Sequence, residues 1–236
     1  MFNVGVDVSK GKWLAVKIWD DSNWEVALFD KFQQLWSQFK KAKQILVDIP
    51  IGLLESGQEE RVCDLEARKV LKLRQSSVFP VPCRPALRSG TWDEASSVNY
   101  RCTGRKLSQQ SYAISPKIKE VDDFLKENLP ARLNIAEVHP ELLFWSLNNS
   151  DPMKFNKKTE SGFQERKIVL AKYYPNANEV ISFALNQTGW RIGKDDIFDA
   201  LVAAEVAFIN DGNLKAVPET PPVDSSGLPM RMLIRA

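Results

Sequence analysis

A chain of 236 residues is long enough for one sizeable core, and its 44% hydrophobic and 26% charged fractions are those of an ordinary globular protein with no apolar run near the ~20 residues of a membrane helix. A formal net charge of +2 excludes a global basic signature, so any contact with a polyanion has to be local. Cys63, Cys83 and Cys102 form no C-x-x-C pair and adjoin no histidine cluster, which argues against a disulfide framework or a zinc site; the absence of a basic and apolar leader makes the cytoplasm the expected compartment.

The first element is a strand. In Phe2-Asn3-Val4-Gly5-Val6-Asp7-Val8-Ser9 the apolar residues alternate onto one face and Asn3, Gly5, Asp7 and Ser9 onto the other, so Asp7 is a carboxylate set in an apolar segment beside a glycine that blocks nothing. Residues 12–19 and 24–29 read as two further strands of an antiparallel meander, and Phe32, Leu35, Trp36 and Phe39 at helical spacing predict an amphipathic helix over 31–41. Gln44 to Pro50 is a short, almost wholly apolar strand, as in a sheet covered on both faces, and it carries Asp48. Residues 52–132 differ: helices around 59–73, 92–102 and 116–128 flank the Pro-rich segment Phe79 to Pro85, which reads as an insertion on the main sheet. Leu133 to Val138 is another apolar strand, bearing Glu137, followed by a helix over 140–147 with Pro140 in its first turn. Helices are predicted over 162–174, 177–186 and 195–209, and the tail 218–236 is a Pro-rich turn with an added edge strand over 230–234.

The last helix opens Asp195-Asp196-Ile197-Phe198-Asp199. Acids at a helix N-terminus complement its dipole, which suits Asp195, but Asp199 lies one turn inside a helix that is apolar nearly all round. Acids on three apolar strands and on this helix can converge at the strand ends of one open sheet. Clustered carboxylates repel one another and take up protons unless a cation compensates them; Mg²⁺ or Mn²⁺ takes oxygen ligands, and two such ions ~4 Å apart can clamp the attacking and leaving oxygens of a phosphodiester. The catalytic candidates are therefore Asp7, Asp48, Glu137, Asp196 and Asp199, with Asp7, Asp48, Asp196 and Asp199 as metal ligands. Lys10, Arg74, Arg84 and Lys117 are element-end cations able to meet phosphates, and the sole histidine, His139, shares the side of Glu137 if the strand continues.

The order of elements resembles the ribonuclease H-like fold, whose nucleases carry acids on the first strand, the fourth strand and the last helix. Asp7, Asp48 and Asp199 match those places, and Asp196 to Leu201 is similar to the final-helix motif of the Holliday-junction resolvase branch. More closely, Gly5-Val6-Asp7, Asp48 to Leu53, Arg61 to Asp64, Arg74 to Pro80, Pro116 to Asp122, Glu137-Val138-His139-Pro140-Glu141 and Asp195 to Ala200 resemble domain-of-unknown-function family 429, described as predicted nucleases. The resemblance implies one α/β domain over 1–236: a mixed five-stranded sheet flanked by helices, with a mainly helical insertion after the fourth strand. It further implies a Mg²⁺- or Mn²⁺-dependent nuclease with DNA or RNA as partner, and a homodimer if the resolvase habit carries over; the lack of a long apolar run leads to the expectation of no membrane partner. Two alternatives stand beside it. One is a binding or structural protein that kept the fold and lost catalysis. The other is an actin-like nucleotide-binding protein, since Gly5 to Lys10 also resembles a first phosphate-binding turn and Asp224-Ser225-Ser226-Gly227 could be offered as a second.

Overall fold

The computed structural model describes residues 1–211 and 213–236. Strands β1 (Asn3–Ser9), β2 (Lys12–Ile18) and β3 (Trp24–Phe29) form the expected antiparallel meander, and helix α1 (Phe32–Phe39) leads to β4 (Gln44–Val47), which pairs parallel with β1. Helices α2 (Val62–Leu71), α3 (Trp92–Thr103) and α4 (Gln109–Glu127) follow before β5 (Ile135–Glu137) pairs parallel with β4. Then come α5 (Pro140–Leu147), α6 (Glu160–Tyr173), α7 (Ala177–Leu185) and α8 (Lys194–Ile209). The chain is thus a mixed α/β protein whose sheet runs β3-β2-β1-β4-β5.

Alternation decides what each face of the sheet meets. Val4, Val6, Trp13, Ala15, Ile45, Val47 and Ile135 join Phe32, Leu35 and Phe39 of α1 and Ile118, Val121 and Leu125 of α4 in one core. Leu14, Val16, Ile18, Leu46 and Ala136 point the other way, into a core built on α8 with residues of α5, α6 and α7. The central strands are covered on both faces, which is why β4 reads as an unbroken apolar run.

Helix α8 lies directly on β1. A Cβ on Gly5 would sit 2.1 Å from both the Ala200 carbonyl oxygen and the Ala204 amide nitrogen, so only glycine admits this approach. The glycine that leaves space beside Asp7 is therefore filled by the helix backbone. At the helix entry, the Gly193 amide is shared between Ser9 Oγ at 3.0 Å and Asp196 Oδ2 at 3.1 Å, tying the end of β1 to the start of α8.

Two expectations need correction. The tail does not extend the main sheet: β7 (Met232–Arg235) pairs antiparallel with β6 (Leu214–Val217), which the sequence reading missed, as a separate two-stranded ribbon closed by the Pro-rich segment. The nearest available ladder after α8 is this local one. Helix α4 begins at Gln109 rather than Pro116, because Ser108 Oγ caps the Ser111 amide at 3.0 Å; beside the missing amide of Pro116, Ser115 Oγ donates back to the Ser111 carbonyl at 2.8 Å.

Candidate functional site

Asp7 shares its face of the sheet with Gly5 and Leu14, and Asp48 shares that face with Leu46, one residue beyond the end of β4. Both lie toward the C-terminal ends of the parallel strands, the edge at which open sheets place ligands. Helix α8, seated on Gly5, brings Asp199 over this edge. Asp7 is 7% exposed and Asp199 2%, and neither the Asp7 nor the Asp48 carboxylate accepts a hydrogen bond from the described residues. Burial, then the charges of Asp48, Asp199 and Asp196, push the Asp7 carboxyl well above its usual range. Burial and Asp199 push Asp48 to about 8, and burial pushes Asp199 to about 6.

The cation that partly compensates them is Lys157, which the sequence reading did not select. Its Nζ donates to Asp199 Oδ2 at 2.6 Å and lies 4.0 Å from Asp195 Oδ2. Burial disfavours its charge, but Asp199, Asp48 and Asp7 outweigh this and hold the ammonium above the usual lysine range. Local chemistry fixes the loop that carries it. Thr159 Oγ1 caps α6 by accepting the Gly162 amide at 3.1 Å, and a Cβ on Gly162 would lie 1.9 Å from the Asn156 carbonyl oxygen, so the loop rests on a bare glycine. Buried Arg166, one turn further along α6, donates to the carbonyls of Phe155 and Gly162 and to Glu141 Oε1.

A cleft of about 440 Å³ opens beside the acids, lined by Asp48, Arg74, Ser76, Ser77, Phe79, Gln110, His139, Pro140, Glu141, Asn156, Lys157 and Lys158. Arg74 is anchored through its Nε to the Met153 carbonyl at 3.0 Å and through Nη2 to that of Lys154 at 2.6 Å, and has no carboxylate partner among the described residues. His139 caps no helix amide; its Nε2 faces the Ser77 carbonyl at 3.3 Å, and buried Nδ1 has no partner. Burial keeps this imidazole below the usual histidine range, hence neutral, with Nε2 as donor and Nδ1 as acceptor.

The remaining selected residues are placed elsewhere. Glu137 pairs in register with Val47, so it faces the opposite side of the sheet from Asp48. There it accepts from Arg61 Nη1 at 2.9 Å, Arg61 Nη2 at 2.6 Å and the Ile51 amide at 2.7 Å. Arg84 is corrected from phosphate contact to buried cross-link, since its guanidinium is engaged by Asp122, Glu55, Asp224 and Ser225. Lys117 is corrected likewise: it pairs with Glu120 at 2.9 Å and lies 4.8 Å over the Trp13 ring, against the core away from Asp7. Lys10 is exposed at the β1–β2 turn with φ +50°. Asp196 stands in the first turn of α8, its carboxylate on the Gly193 amide.

Among the described residues the one group of three ligand-type side chains with atoms within 4.8 Å of one another is Cys63, Asp64 and Glu137. The Arg61 guanidinium already bonds both of its carboxylates, so an ion there would have to displace a buried arginine. The proposed second phosphate loop is also committed internally: Asp224 accepts from the amides of Leu53, Ser226 and Leu228 and pairs with Arg84.

Fold and site together define an α/β protein with a buried acidic cluster and a cation-lined cleft at the C-terminal edge of a mixed sheet. Residues 5–223 match the model of the family described as protein of unknown function, DUF429, and the chain belongs to that family. No curated protein and no solved structure is detectably similar to it.

Proposed function

We propose that this chain is a metal-dependent nuclease of ribonuclease H-like architecture, hydrolysing phosphodiester bonds of DNA or RNA. The observation that carries the reading is the electrostatic coupling of Asp7 and Asp48, two carboxylates with no protein donor and raised proton affinity, with Asp196 and Asp199 toward the C-terminal edge of the sheet, although no three of these acids bring oxygens within 4.8 Å of one another. The mixed sheet β3-β2-β1-β4-β5, with two antiparallel and two parallel pairings, supports the reading as a five-stranded mixed sheet flanked by helices.

The donor set fits a hard divalent cation: every ligand is a carboxylate oxygen, and Asp199 Oδ1 is buried without a partner. Mg²⁺ or Mn²⁺ held by Asp7, Asp48, Asp196 and Asp199 would supply Lewis-acid stabilisation of the phosphoryl oxygens and acidify the attacking water. Lys157, protonated and anchored on Asp199, adds fixed positive charge at the mouth of the cluster, where a phosphate would enter. Arg74 and Lys158 on the cleft wall would orient neighbouring phosphates, and the neutral His139 would offer an acceptor nitrogen for a proton.

The test is an assay on branched DNA, RNA–DNA hybrid and single-stranded substrates with Mn²⁺ or Mg²⁺. Wild type is expected to cleave at least one class, and Asp7→Asn to lose at least about 100-fold in rate, on the scale of removing a group that stabilises transition-state charge. Wild type inert on every class with both ions, or an Asn variant cleaving equally well, would sink the proposal.

A further inference from the structure

Glu137 leaves the cleft without an acid from the β5–α5 corner, yet a carboxylate is present there. Glu141, on the first turn of α5, is 5% exposed and lines the cleft with Asp48 and Lys157. Its Oε1 accepts from Arg166, while its Oε2 is buried with no hydrogen-bond partner. Asp199 Oδ1 on α8 is buried and unpartnered in the same way, and the Glu141 charge is among the causes that raise the Asp199 carboxyl. Each carboxylate already pairs with a protein cation through its other oxygen, Asp199 with Lys157 and Glu141 with Arg166, yet an acidic oxygen removed from water without a partner of its own remains costly. Arg166 does not fill that need, because it approaches the other oxygen, where it ties Glu141 to the loop that carries Lys157.

We propose that Glu141 is a further divalent-cation ligand of the cleft, presenting Oε2 on the side of Asp199 Oδ1, and that it takes the part first assigned to Glu137. This inference rests on the metal-dependent reading of the site. It gives the Glu-x-x-x-Glu spacing of Glu137 and Glu141 a division of labour: the first acid locks Arg61 behind the sheet, and the second faces the ion.

Mn²⁺ titration by calorimetry and by loss of the free-ion paramagnetic resonance signal tests this on the full chain. Glu141→Gln is expected to weaken Mn²⁺ binding at least tenfold, on the scale of about 10 to 100-fold for disturbing a metal site, whereas folded Glu137→Gln keeps the wild-type affinity. The double variant Glu141→Gln, Arg166→Gln leaves neither member of the buried pair charged; it is expected to show the same loss, and it carries the test if the single variant does not fold by circular dichroism. Glu141 variants that bind Mn²⁺ as tightly as wild type overturn the inference and leave the metal-dependent reading standing. A wild-type chain that takes up no Mn²⁺ overturns both.

Discussion

At the scale of single residues, the difference between Glu137 and Asp48 is one of facing. Arg61 bridges Glu137 and Asp64 with its whole guanidinium, out of water, so Arg61→Met should leave two buried carboxylates uncompensated and cost about 3 to 5 kcal/mol in urea unfolding. A loss below ~1 kcal/mol would mean that solvent reaches the pair. Asp7 and Asp48 were legible in the sequence because a carboxylate in an apolar run is conspicuous. Glu137 was equally conspicuous, but its facing depends on the Val47–Glu137 register, and alternation within one strand does not give the alignment between two. The cations were less legible. Arg84 meets Asp122 and Asp224, 38 and 140 positions away, and Lys157 meets Asp199 42 positions on, so a cation's partner is a property of the fold. Lys157 itself carries no local signal that separates it from Lys158.

At the scale of elements, two glycines set the site. Gly5 lets α8 reach β1, and Gly162 seats the loop of Lys157. Gly5→Ala places a methyl against helix backbone, which cannot rotate aside, so a loss of about 1 to 3 kcal/mol or more is expected, together with weaker Mn²⁺ binding. Wild-type stability in chemical unfolding would show that α8 can shift without cost. Most helices were readable because their apolar period persists over several turns. Strand β6 was not: it is four residues long, half-buried except for exposed Lys215, and gains its identity only by pairing with β7, 21 positions on at Leu214–Arg235 and 15 at Val217–Met232. The start of α4 lies before Pro116, at the Ser108 cap, and the helix carries the proline in its interior.

For the whole molecule, the raised acids predict how stability follows pH. Asp48, near 8, and Asp199, near 6, bind protons more tightly in the folded chain than in the unfolded one, where their ordinary value is 3.8. The folded state then holds more protons across that interval, so this contribution is complete at low pH and is lost as pH rises toward 8. His139, kept neutral by burial, works in the opposite sense up to its ordinary value of 6.5, so the fall is clearest from pH 6.5 to 8. With EDTA, Tm should drop across that interval, and Asp48→Asn should raise stability at pH 8 by ~1 to 3 kcal/mol. Excess Mn²⁺ should reverse the slope, since the ion competes with protons for the same oxygens. A Tm in EDTA that climbs steadily to pH 8 would contradict the acid cluster.

The contact between Gly5 and Ala200 also orders events in time. A ribosome delivers Asp7 first and Asp199 some 190 residues later, at about 5 to 20 residues per second. Until α8 has left the exit tunnel and settled on β1, the early acids have no partner helix. The acidic cluster is therefore assembled late: Asp7 and Asp48 stay without Asp199 and its Lys157 counter-charge until α8 has been made and has packed onto β1.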